Sequence, residues 1–187
     1  MYANPVVLWI SALVPAVILG AAAWSKLFDR RAFRTTVADY AVLPPILVTP
    51  VAGLVPYIEL AAAAGLLIPG SRRTAAAAAL VLFAVFTCAL AINLLRGRRE
   101  LDCGCHVGRA PVPLSGDLVL RNVLLMLWTS PAAASTGVGL SSLAWLDGFT
   151  IVAGSALGVM AYMMSGELLT LRRAKAAVTA KLADGRG

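Results

Sequence analysis

An all-α fold is what this sequence predicts: a polytopic bundle of about five transmembrane helices, a four-helix core plus one, with a short amphipathic interfacial helix after the first span. Three observations predict it. The first is composition. Of 187 residues, 60% are hydrophobic and 13% charged, whereas ordinary soluble domains carry about 25% charged residues. So few charges cannot cover a soluble surface. The second is that the apolar residues gather into five runs near the length of about 20 residues needed to cross a hydrocarbon core of ~30 Å. The third is that the basic residues cluster at the ends of those runs. The runs must be helices, because an open strand edge in lipid leaves backbone groups unsatisfied, and no alternating pattern suggests a barrel.

The first run is Val6 to Trp24, with Pro15 as a candidate kink. "MYANP" before it lacks the basic residue of a signal peptide, so the run reads as a retained span. From Ser25 to Pro45, Leu27, Phe28, Phe33, Val37 and Tyr40 alternate with Lys26, Arg30, Arg31 and Arg34. That pattern predicts a short helix lying on the membrane surface. The second run, Ile46 to Ile68, holds Glu59; the tight turn Pro69 to Arg73 follows; and the third run, Thr74 to Leu95, holds Cys88. The fourth, Leu118 to Ala134, is the weakest, with Arg121 and Asn122 near its start and Pro131 near its end. A small-residue linker, Ser130 to Ser142, leads to the fifth run, Leu143 to Leu169. There Gly154 and Gly158 stand at GxxxG spacing, expected to pack within the chain's own bundle rather than at a dimer face. Trp145 and Asp147 read as an interface anchor. Residues 1–171 form one membrane domain and residues 172–187 a basic tail.

The formal charge is +7. The basic residues lack interleaved aromatics and mark span ends, which excludes nucleic acid and points to the lipid bilayer. With the N-terminus outside and five spans drawn, all of the sixteen lysines and arginines except Arg72 and Arg73 fall on the inner side. By the positive-inside rule, the C-terminus and the loop between the third and fourth spans are then cytoplasmic.

That loop contains "RELDCGCHVGR", Arg99 to Arg109. Cys103 and Cys105 are separated by Gly104, whose backbone freedom allows neighbouring side chains to meet. A disulfide across one residue closes a small, strained ring, and strained disulfides are the exchanging kind. Arg96, Arg98, Arg99 and Arg109 favour the attacking thiolate; Asp102 opposes this, and His106 offers a local base or positive charge. Two other readings stand beside exchange. Cys103, Cys105 and His106 are soft ligands for Cu(I) or Zn(II), although structural zinc wants four. The two thiols can also be inert, in a scaffold that stabilises a partner. Cys88, about 10 Å from its helix end at ~1.5 Å per residue, is either a relay to the pair or a packing residue. Glu59, a carboxylate in mid-span, is either a proton-handling group or an interhelical hydrogen bond. Asn93, Arg121 and Asn122 lie toward the same face as the loop, where they can anchor it or contact a ligand head group; Arg121 can also snorkel or pair with Asp117 one turn earlier.

"AAWSKLFDRRAFRTTVADYAVLP", "VPYIELAAAAGLL", "LRGRRELDCGCHVG" and "PLSGDLVLRNVLLM" together resemble the MauE family of methylamine-utilisation membrane proteins, related to the wider DoxX-like group. The likeness covers about Val6 to Trp128, with a compatible final span. It implies a bacterial-type cell-membrane protein that supports disulfide formation in methylamine dehydrogenase, whose small subunit is rich in disulfides, beside a periplasmic thioredoxin-like partner. It implies Cys103 and Cys105 as the redox pair of a thiol–disulfide oxidoreductase, and Glu59, Arg121 and Asn122 as binding positions of unassigned role. The one cofactor candidate is a quinone. The implied periplasmic work and the cytoplasmic position drawn from charge point to opposite sides of the membrane.

Overall fold

The computed structural model describes residues 4–98, 100–101, 114–134 and 144–184, with side chains in the last helix described as far as Gly166. Among the described residues every regular element is a helix: α1 (Pro5–Phe28), α2 (Arg30–Asp39), α3 (Pro45–Leu67), α4 (Arg72–Leu95), α5 (Gly116–Ala134) and α6 (Trp145–Asp184). The all-α membrane bundle expected from composition is therefore observed. Four segments are long and apolar enough to cross a membrane: α1, α3, α4 and Trp145–Gly166 of α6. The fifth, α5, carries Asp117 and Arg121. It runs in the shelter of α1 and α4, which is how so polar a helix keeps its place in a bundle of about five.

The hub is α1. Asn4 caps it, its side-chain oxygen accepting from the Val6 amide at 2.9 Å, and Pro5 stands at the first turn, where a missing N–H costs nothing. Its apolar residues face in several directions, and α1 packs on α3, α5 and α6. A helix apolar all round belongs inside. Leu8, Ala12, Leu19 and Ala23 are accordingly buried, and Pro15 is buried without ending the helix.

Lys26 meets Glu59, and a Cβ on Gly20 would touch Ala63, so α1 and α3 run antiparallel. By that register α1 ends halfway along α3. The short α2, capped by Asp29 on the Ala32 amide at 3.0 Å, packs on α3 and buries Phe33. The amphipathic helix expected after the first span is thus present as a ten-residue element. At the other end of α3 the turn into α4 is closed by Ser71, whose hydroxyl donates to the Gly65 carbonyl at 3.0 Å. A Cβ on Gly65 would lie 2.8 Å from that of Ala75; the hairpin closes because glycine has none. α5 packs along α4, with Leu114 and Leu118 on Leu90.

α6 follows α1 in parallel. A Cβ on Gly154 would lie 2.8 Å from Ile10, and one on Gly158 2.9 Å from Val14. The GxxxG pair thus serves packing within the chain, as expected. The backbone of α6 stays helical through Leu171 to Asp184, so no break separates the last span from the basic tail.

Candidate functional site

The sequence places Lys26 just beyond the first span, as a surface anchor. The structure places it inside, because α1 continues one turn past Trp24. Lys26 is 3% exposed and Glu59 1%, and they form a salt bridge through Nζ and Oε1. The ammonium also lies 5.0 Å from the ring centroid of Phe33 and 4.6 Å from that of Phe86. A cation over an aromatic face is held by the ring quadrupole. Four helices thus converge on one charge: α1 brings Lys26, α2 Phe33, α3 Glu59 and α4 Phe86. Glu59 Oε2 is buried with no hydrogen-bond partner among the described residues. Of the two readings of Glu59, this geometry supplies a direct structural role, while leaving one carboxylate oxygen open to a proton.

A second buried cation was not anticipated. Arg72 opens α4, where sequence placed it in an outer turn. Its guanidinium carbon instead sits 3.8 Å from the Trp9 ring centroid, and its Nε donates to the Leu66 carbonyl at 3.3 Å. Lys26 could have been found from sequence, since a mid-span carboxylate calls for a cation and Lys26 stands only two residues past the apolar run. No signal in sequence joins Arg72 to Trp9.

The third is Arg121. It is 8% exposed and lies 4.5 Å over the Tyr162 ring of α6, its Nε without a hydrogen-bond partner among the described residues. Asn122 beside it is buried, as is Asn93. Asn93 donates to the Ala89 carbonyl at 3.1 Å and accepts from Arg98 at 3.4 Å. Cys88 is exposed on α4; neither core packing nor contact with a second thiol is seen for it among the described residues.

Asp102, Cys103, Cys105 and His106 lie outside the described residues. Their described flanks share one end of the bundle with the basic α1–α2 connection. Arg96 donates to the Ala41 carbonyl at 3.1 Å, and Tyr40 and Leu101 pack against Leu90, Leu114 and Leu118. Arg30 and Arg34 are exposed on the neighbouring α2. The chain therefore leaves for the cysteine segment and returns from it at the end where Lys26 and the arginines of α2 stand.

These features define a class: a multi-pass helical membrane protein whose interior carries buried cations. Within that class the chain belongs to the MauE family, since the family model for methylamine utilisation protein MauE matches residues 4–138. It is 38% identical over 184 residues to the methylamine utilization protein MauE of Paracoccus denitrificans, covering 98% of this chain and 97% of that one. It is 35% identical over 165 residues to that of Methylophilus methylotrophus, covering 87% and 86%. No solved structure matches it significantly.

Proposed function

We propose that this protein is a membrane accessory factor of methylamine utilisation that exchanges disulfides through Cys103 and Cys105. The observation that carries the proposal is that the family match spans residues 4–138 and so includes the only two closely spaced thiols of the chain, between basic flanks. In the forward step a partner thiolate attacks one sulfur of the Cys103–Cys105 disulfide and forms a mixed disulfide. A second partner thiolate attacks that bond. The partner leaves with a disulfide, and Cys103 and Cys105 are left as the dithiol. The partner suited to this is a thioredoxin-like protein or a disulfide-rich subunit such as that of methylamine dehydrogenase. The arginines raise the thiolate fraction that the step needs.

The test is trapping in cells. With Cys105→Ser, the intramolecular disulfide cannot form, but in the reverse step the Cys103 thiolate attacks an oxidised partner's disulfide, and the mixed disulfide, which Cys105 no longer resolves, accumulates as a reducible adduct of higher mass; Cys103→Ser does the same or yields none, and the two together remove the adduct. If neither cysteine ever forms a disulfide or adduct in cells, the reading is overturned. A membrane-impermeant maleimide, applied to intact cells and to inverted vesicles after reduction, tests the side. Labelling from the inner face is expected from the basic flanks; labelling only from outside reverses the topology and makes the oxidation directly periplasmic.

A further inference from the structure

Between α5 and α6, over a floor formed by α1, runs an apolar groove of about 660 Å³. It exists because α6 is held on α1, through Gly154 and Gly158, and makes no extensive contact with α5. Leu120, Leu124 and Leu157 line it and are exposed at its rim, so it opens sideways, toward lipid. Its polar end is made by Asp117, Arg121 and Tyr162. Arg121 is more than nine-tenths buried there, and its Nε has no acceptor among the described residues. A buried donor without a partner is a costly arrangement, and beside a cavity it marks the place of a missing acceptor.

We propose that this groove holds a prenylated quinone, with a ring carbonyl accepting from Arg121, the flat ring beside Tyr162, and the chain running along Leu124 toward Trp128. Asp117 lines the same end and offsets the arginine's charge, which favours a neutral acceptor over an anionic lipid head group. The volume lies in the range of sites for single small molecules. The lateral opening suits a ligand that arrives from the bilayer. As a binding site the groove stands without the thiol reading; its use as electron acceptor rests on it. In that use the quinone takes the two electrons and two protons released when the Cys103–Cys105 dithiol closes to the disulfide, and leaves as quinol.

The experiment uses the full chain in phosphatidylcholine nanodiscs, titrated with a decyl benzoquinone while tryptophan emission is read. Saturable quenching is expected in the wild type and is expected to vanish in Trp128→Phe. Arg121→Met, which removes the donor, and Ala161→Phe, which fills the groove, are each expected to weaken binding at least tenfold. Helical circular dichroism is read alongside. Ala161 is exposed, so its variant keeps the test valid should Arg121→Met fold poorly. Equal saturation in both groove variants overturns the proposal. So does equal competition by phosphatidylglycerol, which would make the groove a lipid site, or a dimer whose contact covers Trp128 and blocks quenching. Cys103→Ser/Cys105→Ser is expected to bind as the wild type does. Retained quenching with no disulfide in cells therefore sinks the thiol reading alone, and lost quenching with disulfides retained sinks the quinone site alone.

Discussion

Lys26 and Arg121 are both cations buried in the same bundle, and they are served in opposite ways. On the α1–α3–α4 side, Lys26 finds a carboxylate and two aromatic faces from three other helices. On the α5–α6 side, Arg121 has one aromatic face, an unpartnered Nε and a groove next to it. Moving a charge from water into a low-dielectric interior is expensive, and only close partners repay it. The first site repays it from within the chain and ties the fold together. The second leaves part of the cost unmet, between α5 and α6, which make no extensive contact with each other. That difference separates a structural charge from one poised for a ligand.

The largest effect expected from breaking the first site comes from Glu59→Gln. It strands Lys26 in the interior, and loss of one partner of a buried pair costs about 3–5 kcal/mol. Thermal unfolding in detergent should show a large fall in midpoint. The double variant Lys26→Leu/Glu59→Leu should recover most of that loss, because an apolar replacement of a buried pair is often neutral. If the double variant folds and still makes disulfides, Glu59 is structural alone. If it folds and disulfide formation stops, the open Oε2 handles a proton. A double variant no more stable than Glu59→Gln would contradict the account of the pair.

The contact that leaves the second site open is tested next. Gly158→Leu drives a side chain into Val14, where a Cβ alone would lie at 2.9 Å. Overpacking of this kind costs about 1–3 kcal/mol. The loss should be accompanied by a changed Trp128 emission, since Trp128 lies 3.5 Å from the same built Cβ. An unchanged unfolding midpoint and spectrum would mean that α6 is not held on α1 in this way. Arg72→Lys is expected to cost about 1–2 kcal/mol, because lysine gives up the planar stacking on Trp9 and the Nε hydrogen bond. Tryptophan emission and unfolding together read that loss; no change in either would argue against the stack.

How much of this was legible in sequence depended on how local the cause was. The spans were legible because length and apolarity are set by the bilayer, residue by residue. The run expected over α5 is present as a helix, but it is not among the four segments apolar enough to cross a membrane. The role of Lys26 was missed, although a mid-span carboxylate calls for a cation. A span drawn to stop at the first charge treats that charge as solvated, and what overrides this is a carboxylate 33 positions away. Arg72 was misplaced for the same reason, with Trp9 as the distant partner. Glu59 was expected to face the bundle interior and does; Arg121 and Asn122, read as loop anchors or head-group contacts because polarity in lipid is conspicuous, are buried as well. What each one touches was not readable, since spacing along one helix says nothing of the face offered by the next. The CxC pair was legible as chemistry alone, and its residues lie outside those the structure describes.

The smallest stability change is also the sharpest test of the comparison. Arg121→Met removes a guanidinium whose Nε is unpartnered and puts a flexible apolar side chain in its place. The lost cation–π contact with Tyr162 is worth about 0.5–2 kcal/mol, and relief of an unsatisfied buried donor returns about 1–3 kcal/mol. The two nearly cancel, so the unfolding midpoint of the ligand-free protein should stay within the equivalent of about 1 kcal/mol of wild type. In Glu59→Gln the same sum has no returning part, since a satisfied group is made unsatisfied. Two single substitutions at buried charges should therefore differ several-fold in stability loss, with the gentler one weakening binding in the groove at least tenfold. A loss in Arg121→Met as large as that in Glu59→Gln would mean that Arg121 is a structural charge too, and that the open side of the bundle is closed by contacts of its own.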